Sequence, residues 1–178
     1  MTNARDRFQY RRNLQQHLRQ QSVLTGHPVA AADLVPLEEV AVWRSRVVAM
    51  DTTARSKVRL PFEDKVTPVF DAYVRRLEQA NPSQVYLWTP LASICGPAMA
   101  PSIAQVNFAF PFDVNVEGIV SFISADFRDE LVLDYYEEQE QYFVDVEARG
   151  ARWPHCDFGG GCRQRFSALI HRASTSKP

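Results

Sequence analysis

The sequence predicts an α+β fold in which N-terminal helices pack on an antiparallel meander of four or five strands, followed by a short C-terminal helix. Apolar residues recur every three or four positions through much of residues 1–80, which is typical of helices with one buried side. Between residues 81 and 153 the period changes to two, as in half-buried strands. Residues 154–178 are expected to form a loop, a short helix near 163–173 and a polar tail. The chain of 178 residues is therefore predicted to be a single domain.

The first two predicted helices are surface helices. Residues 5–21 contain a narrow apolar stripe of Tyr10, Leu14 and Leu18 between arginines and glutamines. Residues 36–50 begin with a proline, carry glutamates in the first turn and arginines near the end, which suits the helix dipole. Both segments are expected to pack on one face of the sheet.

The third predicted helix has clear signals at both ends. Thr67 can cap free N–H groups, and Pro68 has no N–H to satisfy. Asn81 precedes a proline, which disfavours helical geometry, so the helix should end there. Its buried stripe is predicted to be Phe70, Tyr73, Val74 and Leu77.

Strands are predicted at 84–89, 106–116 and 118–124 from their β-forming residues and alternation. Every even position from Val106 to Val116 is apolar, although Pro111 marks an edge, a bulge or a break because it cannot donate a ladder hydrogen bond. The strand at 118–124 is apolar on both faces and is expected to be central.

A β-hairpin is predicted from residues 130–136 and 141–147, joined by a turn at 137–140. The predicted register places Glu130 opposite Glu147 and Glu137 opposite Glu140. One face of this hairpin is expected to be core, formed by Leu131, Leu133, Tyr135, Tyr142, Val144 and Val146.

The charge distribution along the chain is uneven. Residues 1–80 carry 13 Lys/Arg against 9 Asp/Glu, residues 81–148 carry one against 11, and residues 149–178 carry 6 against one. The acidic middle block predicts that a large charged partner would be cationic. The glutamates that the predicted register places opposite each other would repel by up to about 1 kcal/mol per pair, which Arg128 and Arg149 at the base of the hairpin could offset from within the chain, or a cationic partner from outside.

Acidic and aromatic residues share the hairpin face opposite the core, or the turn next to it. Such a face can attract a basic protein and then bury an aromatic hot spot. The alternative is a solvated face that its charges keep soluble. The predicted partner-binding residues are Glu130, Asp134, Tyr136, Glu137, Glu138, Glu140, Phe143, Asp145 and Glu147.

Zinc binding is an alternative for the segment that contains His155, Cys156 and Cys162, with His171 further on. Structural zinc sites usually pair ligands two to four residues apart, whereas five residues separate the two cysteines. Two reduced thiols beside a glycine turn are therefore the expected arrangement, and no metal or cofactor is predicted. A catalytic dyad of Cys156 with His17, His27 or His171 has only weak support.

Other function classes leave no signature in the sequence. The phosphate-binding loop, the nucleophile elbow, the zinc-protease motif and the dinucleotide fingerprint are all missing. Arg5, Arg12 and Arg19 line one side of the first helix, but the near-neutral net charge of −1 favours a solvated face over nucleic-acid binding. No apolar stretch suits a bilayer or a secretory signal, so a cytoplasmic protein without a membrane partner is expected. The oligomeric state is not predicted.

The acidic, aromatic hairpin strand Asp129-Glu130-Leu131-Val132-Leu133-Asp134-Tyr135-Tyr136-Glu137-Glu138, in a small α+β chain without catalytic motifs, resembles the immunity proteins of bacterial polymorphic toxin systems, including contact-dependent growth inhibition. The resemblance is one of composition and architecture and covers the second half of the chain. It implies a tight complex with a cognate toxin domain, often a basic nuclease, whose active site is blocked by carboxylates in place of phosphates. The alternatives are a small enzyme whose site is assembled from scattered residues, and a zinc-binding interaction protein.

Overall fold

The computed structural model describes residues 4–158, and this part of the chain forms four α-helices and six β-strands. The α+β class is confirmed. The predicted helix near 163–173 and the polar tail lie outside the described residues. The helices are α1 (Ala4–Thr25), α2 (Leu37–Val48), α3 (Pro68–Ala80) and α4 (Ala92–Cys95). The strands are β1 (Arg55–Pro61), β2 (Val85–Trp88), β3 (Ala98–Ala100), β4 (Ile119–Ser124), β5 (Asp129–Glu138) and β6 (Gln141–Gly150).

The six strands form one antiparallel sheet in the order β1-β6-β5-β4-β2-β3. This is one strand more than the upper limit of the prediction, because β1 and β3 were not anticipated. β1 lies within residues 1–80, which were expected to be mainly helical, and it pairs with β6 at one edge of the sheet. Its sequence alternates basic residues with Val58 and Leu60, which is a period-two signal.

The β5–β6 hairpin is confirmed, but its register is shifted. Glu130 lies opposite Arg149, and Glu138 lies opposite Gln141, so the prediction of Glu130 opposite Glu147 and Glu137 opposite Glu140 is wrong by two residues. The turn consists of Gln139 and Glu140, whose positive φ angles of 52° and 62° match a two-residue hairpin turn. A shift of two keeps every side chain on its predicted face.

The predicted strand at 106–116 is wrong. This segment has no partner strand among the described residues, and it contains a short 3-10 turn at Phe112–Val114 that follows Pro111. The alternation nevertheless reflects burial, since Phe110 is fully buried and its even-numbered neighbours Phe108 and Phe112 pack on the same core. An extended chain buries alternate side chains even when no ladder forms. Val116 departs from the pattern and is 88% exposed.

The main core lies between α3, the 106–114 segment and one side of the sheet, which we call the inner face. Its sheet residues include Leu87, Phe122, Leu133 and Val144, and each of these is fully buried. The predicted boundaries and stripe of α3 are confirmed: Thr67 Oγ1 accepts a hydrogen bond from Phe70 N, and the four predicted stripe residues are buried.

The opposite side of the sheet, which we call the outer face, is covered at one end by α2. Trp43 of α2 packs against Tyr86 of β2, with ring centroids 4.0 Å apart, and against Phe127 at 5.8 Å. Ile123 of β4 joins this second cluster. The helices therefore pack on both faces of the sheet, and the prediction that all of them share one face is wrong.

α1 is attached mainly through polar side chains. The predicted stripe of Tyr10, Leu14 and Leu18 is only partly buried, whereas His17 and Gln21 are completely buried. This difference arises because α1 packs along α4 and the edge strand β3. His17 Nε2 donates to Gly96 O at 2.6 Å, and Gln21 Oε1 accepts from Ala98 N at 2.9 Å. These side chains bond backbone groups at the edge of the sheet, where no further strand can do so.

His17 should make the stability of the protein sensitive to pH. Burial lowers the pKa of His17 below its usual 6.5, against the opposing effect of its bond to Gly96 O. The neutral form therefore stabilises the fold fully above pH 6.5, and this contribution is lost as the pH falls through the lowered folded pKa. We expect urea unfolding to show a loss of stability from this residue as the pH falls from 7.5 to 5. His17→Gln keeps an N–H donor and should lose less; equal losses in both proteins would contradict this role.

None of the helices formed by residues 4–158 is long and apolar enough to span a lipid bilayer.

Candidate protein-binding face

The structure brings the nine predicted partner-binding residues together on one hairpin. Seven of them have outer-face positions in the register of β5 and β6: Glu130, Asp134, Tyr136, Glu138, Phe143, Asp145 and Glu147. All of these except Glu138 were predicted to face away from the core. Glu137 points toward the inner-face side, and Glu140 lies in the turn. These residues differ strongly in burial and in their ionic partners.

At the base of the hairpin, Arg149 forms ion pairs with two of the predicted residues. Its guanidinium lies 2.9 Å from Glu147 Oε1 and 3.6 Å from Glu130 Oε2. Glu130 is only 8% exposed, and burial raises its pKa, which the Ser121 hydroxyl and the charge of Arg149 partly oppose. The pKa of Glu147 is lowered chiefly by its hydrogen bonds from Arg149. Arg149 thus provides the internal compensation that its position suggested, and these two carboxylates are committed within the chain.

The edge strand β1 supplies basic partners for two more of the predicted binding residues. Lys57 Nζ lies 2.8 Å from Asp145 Oδ2, and the guanidinium of Arg59 pairs with Glu138. Including Arg55, the outer face of β1, β5 and β6 carries four basic side chains beside five acidic ones. The sequence-based expectation of an unbalanced acidic face is therefore wrong for most of this surface, because β1 comes from the basic first half of the chain.

Arg59 also covers the predicted aromatic anchor. Its guanidinium carbon lies 4.1 Å from the ring centre of Phe143 and 5.2 Å from that of Tyr136. Such cation–π contacts contribute about 0.5–1 kcal/mol at exposed sites. Both rings are partly buried, so they form a layered, preorganised patch with Arg59 instead of a freely exposed anchor.

The end of the hairpin extends past both neighbouring strands. β4 makes its last pair with Asp134, and β1 makes its last pair with Phe143. We call the projecting residues 136–142 the hairpin tip. Its three glutamates are all exposed, and although Glu138 pairs with Arg59, neither Glu137 nor Glu140 has a basic group of residues 4–158 within 4 Å.

Sequence reasoning missed the inner side of this end of the sheet. Tyr142 was predicted to be a core residue, but it is 48% exposed because it lies beyond the end of the main core, where it packs on Phe112 with ring centroids 4.4 Å apart. Burial raises the pKa of Tyr135, and the nearby charges of Glu117 and Asp113 raise it further. Two more carboxylates therefore lie close to the tip. Both residues are visible in the sequence, but Asp113 was assigned to a predicted strand at 106–116 and Glu117 to the junction with the next strand. Their position in one loop beside Tyr135 was therefore not predicted.

Neither Cys95 nor Cys156, the two cysteines of the described residues, has an activated thiol. Burial raises the pKa of the Cys95 thiol to about 11, and burial likewise raises the pKa of Cys156, whose Sγ lies 3.7 Å from Arg76 O. A raised pKa disfavours the thiolate that nucleophilic or metal-binding cysteines need. Among residues 4–158 no three His, Cys, Asp or Glu side chains are grouped to hold a metal ion. Cys162 and His171 of the zinc hypothesis lie outside the described residues.

Comparison of the chain with protein-family models, curated proteins and solved structures finds no match.

Proposed function

We propose that this chain is a non-catalytic, cytoplasmic binding protein of the immunity type, which neutralises a basic toxin domain by binding it with the hairpin tip. The observation that carries the proposal is the projection of residues 136–142 past both neighbouring strands, with Glu137 and Glu140 unmatched by any described basic group within 4 Å. A projecting negative element can enter a concave positive surface, which a flat sheet face cannot do.

The tip is preformed by strand pairing, which favours tight binding. β5 and β6 are joined by ten residue pairs and a two-residue turn, so the tip is held by a continuous ladder. A preformed binding element loses little conformational freedom when a partner docks. Aromatic residues lie on both sides of it, with Tyr136 toward the outer face and Tyr142 toward the inner face. Rings of this kind are enriched among the residues that dominate binding energies.

The rest of the outer face has a different role in this proposal. Glu130, Asp145 and Glu147 already have cationic partners, so a toxin would have to displace Lys57 or Arg149 to use them. The Lys57–Asp145 pair joins β1 to β6, and the Glu130–Arg149 pair joins β5 to β6 at the base of the hairpin. The predicted binding surface of nine residues thus narrows to the tip, with Asp134 and Phe143 at its border.

The partner that fits this tip has a cleft lined by lysine and arginine. Carboxylates at the tip can occupy positions that suit phosphate groups, since both are oxygen anions that accept hydrogen bonds from arginine. A nuclease domain has such a cleft, in agreement with what the immunity-protein resemblance implies.

A growth assay tests this function. The C-terminal domain of the polypeptide encoded immediately upstream would be expressed with and without this chain, and the purified pair would be analysed by size-exclusion chromatography with light scattering. We expect the domain alone to stop growth, and co-expression to restore growth and give a stable 1:1 complex. A toxic domain that neither binds this chain nor loses its toxicity would contradict the proposal.

A further inference from the structure

An open cleft of about 480 Å³ lies at the other end of the hairpin from the tip. One wall is the end of α2 and the residues after it, and the other is the β4–β5 turn with the residue that follows β6. The side chains that matter for its chemistry are Arg46, Met50, Asp51, Asp126, Phe127 and Arg128. Its volume falls within the range of about 300–1,000 Å³ that is usual for small-molecule sites.

The wall formed by the strand ends is fixed by a buried carboxylate. Asp129 is completely buried and accepts hydrogen bonds from Arg152 N at 2.6 Å, Arg152 Nε at 2.7 Å, Trp153 N at 3.0 Å and Asn81 Nδ2 at 2.9 Å. Gly150 passes so close to the turn that a Cβ there would lie 2.1 Å from Arg128 O, at a φ of 117°. The cleft is thus preformed by tightly bonded backbone.

Phe127 at the floor of the cleft has an unusual backbone conformation. Its φ angle of 56° is in the left-handed region, which is a genuine outlier for a bulky residue. Packing against Trp43 and Tyr86 holds it there, as does a hydrogen bond from Phe127 N to Ser124 O at 2.8 Å. Backbone strain of this kind is concentrated at functional sites.

The cleft has uncommitted positive charge. Arg46 stacks over the Phe127 ring at 5.4 Å, and both Arg46 and Arg128 are exposed, with no carboxylate of residues 4–158 within 4 Å. Of the two acids in the lining, Asp126 is paired with Arg152 at 2.5 Å. Asp51 accepts a hydrogen bond from Thr53 N and, with the carbonyl end of α2, offsets part of the positive charge. Arg152 is shared between Asp126 and the buried Asp129, so the three basic and three acidic groups around the cleft balance. An anion is favoured because both carboxylates of the lining already accept hydrogen bonds, whereas Arg46 and Arg128 have no described carboxylate within 4 Å.

We propose that this cleft binds a small organic anion, with a carboxylate or phosphate group between Arg46 and Arg128 and an apolar part against Met50 and Phe127. Two arginines give an oxyanion its strongest type of hydrogen bond. The apolar floor selects anions that carry an organic group over the bare ion. This inference is independent of the proposed function, because the site and the tip lie at opposite ends of β5.

Calorimetric titration of the full chain tests the site, with phenyl phosphate as the probe. Inorganic phosphate has only the anionic group of this probe and phenol only its ring, so each serves as a control ligand. We expect phenyl phosphate to bind one site with a Kd of about 1 mM or tighter, inorganic phosphate to bind more weakly, and phenol not to bind. Arg46→Met and Arg128→Met should each weaken binding by about fivefold or more, since each removes a charged hydrogen-bond donor.

The matched control is Arg75→Met, which removes an exposed arginine from α3 and should leave the affinity unchanged. Thermal unfolding verifies that all three variants fold as the parent does. The inference is overturned if phenyl phosphate fails to bind at about 10 mM, if inorganic phosphate binds equally well, or if the two cleft variants bind as tightly as the control.

Discussion

Replacement of Asp129 by alanine should lower the free energy of unfolding by about 3–5 kcal/mol. The Asp129 carboxylate accepts four hydrogen bonds in a site closed to solvent, and it joins the segment after β6 to the start of β5 and the end of α3. Its removal leaves the backbone N–H groups of Arg152 and Trp153 and the Arg152 Nε–H without an acceptor, although the Arg152 guanidinium keeps its pair with Asp126. Buried donors that lose their partner incur the full cost of desolvation.

Urea denaturation followed by tryptophan fluorescence measures this loss, because Trp153 is completely buried beside Asp129. Asp71→Ala is the matched control. Asp71 pairs with Arg75 on the exposed side of α3, where both side chains are at least 70% exposed, so the variant should lose about 0.5 kcal/mol or less. Similar losses in both variants would show that Asp129 does not fasten these segments.

The double variant Glu137→Lys with Glu140→Lys, which reverses the charge of the hairpin tip, should weaken toxin binding about 100-fold. Both side chains are exposed and lack a described basic partner within 4 Å, so the substitution breaks no ion pair of residues 4–158. A lysine at each position would repel the basic cleft that the glutamates attract. Surface plasmon resonance with the toxin domain measures the change, which is expected mainly as slower association.

The control for this variant is Asp71→Lys with Glu78→Lys on α3, which changes the net charge by the same amount. We expect its affinity to remain within about threefold of the parent, because rim or remote charges contribute little to binding energy. If both double variants weaken binding equally, the effect comes from net charge and the tip has no special role. Unaltered binding of the tip variant would contradict the proposed site.

The features that could be predicted from the sequence are the local ones. Thr67 and Pro68 define the start of α3 because capping depends on adjacent residues alone. The two faces of the β5–β6 hairpin follow from alternation, which holds under a shift of two residues. The register itself depends on the turn, and neither Gln139 nor Glu140 is a residue type that favours a positive φ angle.

The features that could not be predicted depend on contacts between distant parts of the chain. Residues 81–148, which contain most of the hairpin, carry 11 acids and one base, but in space β1 places Lys57 and Arg59 beside the hairpin. Strand pairing across about 90 residues leaves no local trace. The candidate site therefore shrank to the tip, where Glu138 pairs with Arg59 but Glu137 and Glu140 have no described basic group within 4 Å.

The buried polar residues of α1 are a second feature that could not be predicted from the sequence. His17 and Gln21 look like solvent-exposed positions of α1, yet they are buried because their side chains bond Gly96 and Ala98 at the sheet edge. Hydrophobic periodicity identifies faces by apolar residues alone, so a helix attached through hydrogen bonds is assigned the wrong buried side.

The most direct test of the central claim is the association rate of the toxin domain with the parent protein and with the tip variant, measured from about 50 to 500 mM NaCl. If the tip guides binding by its charge, the rate for the parent protein should fall steeply with salt, and the rate for the variant should be low and nearly independent of salt. Equal salt dependence in the two proteins would contradict the claim that the hairpin tip attracts and binds a basic partner.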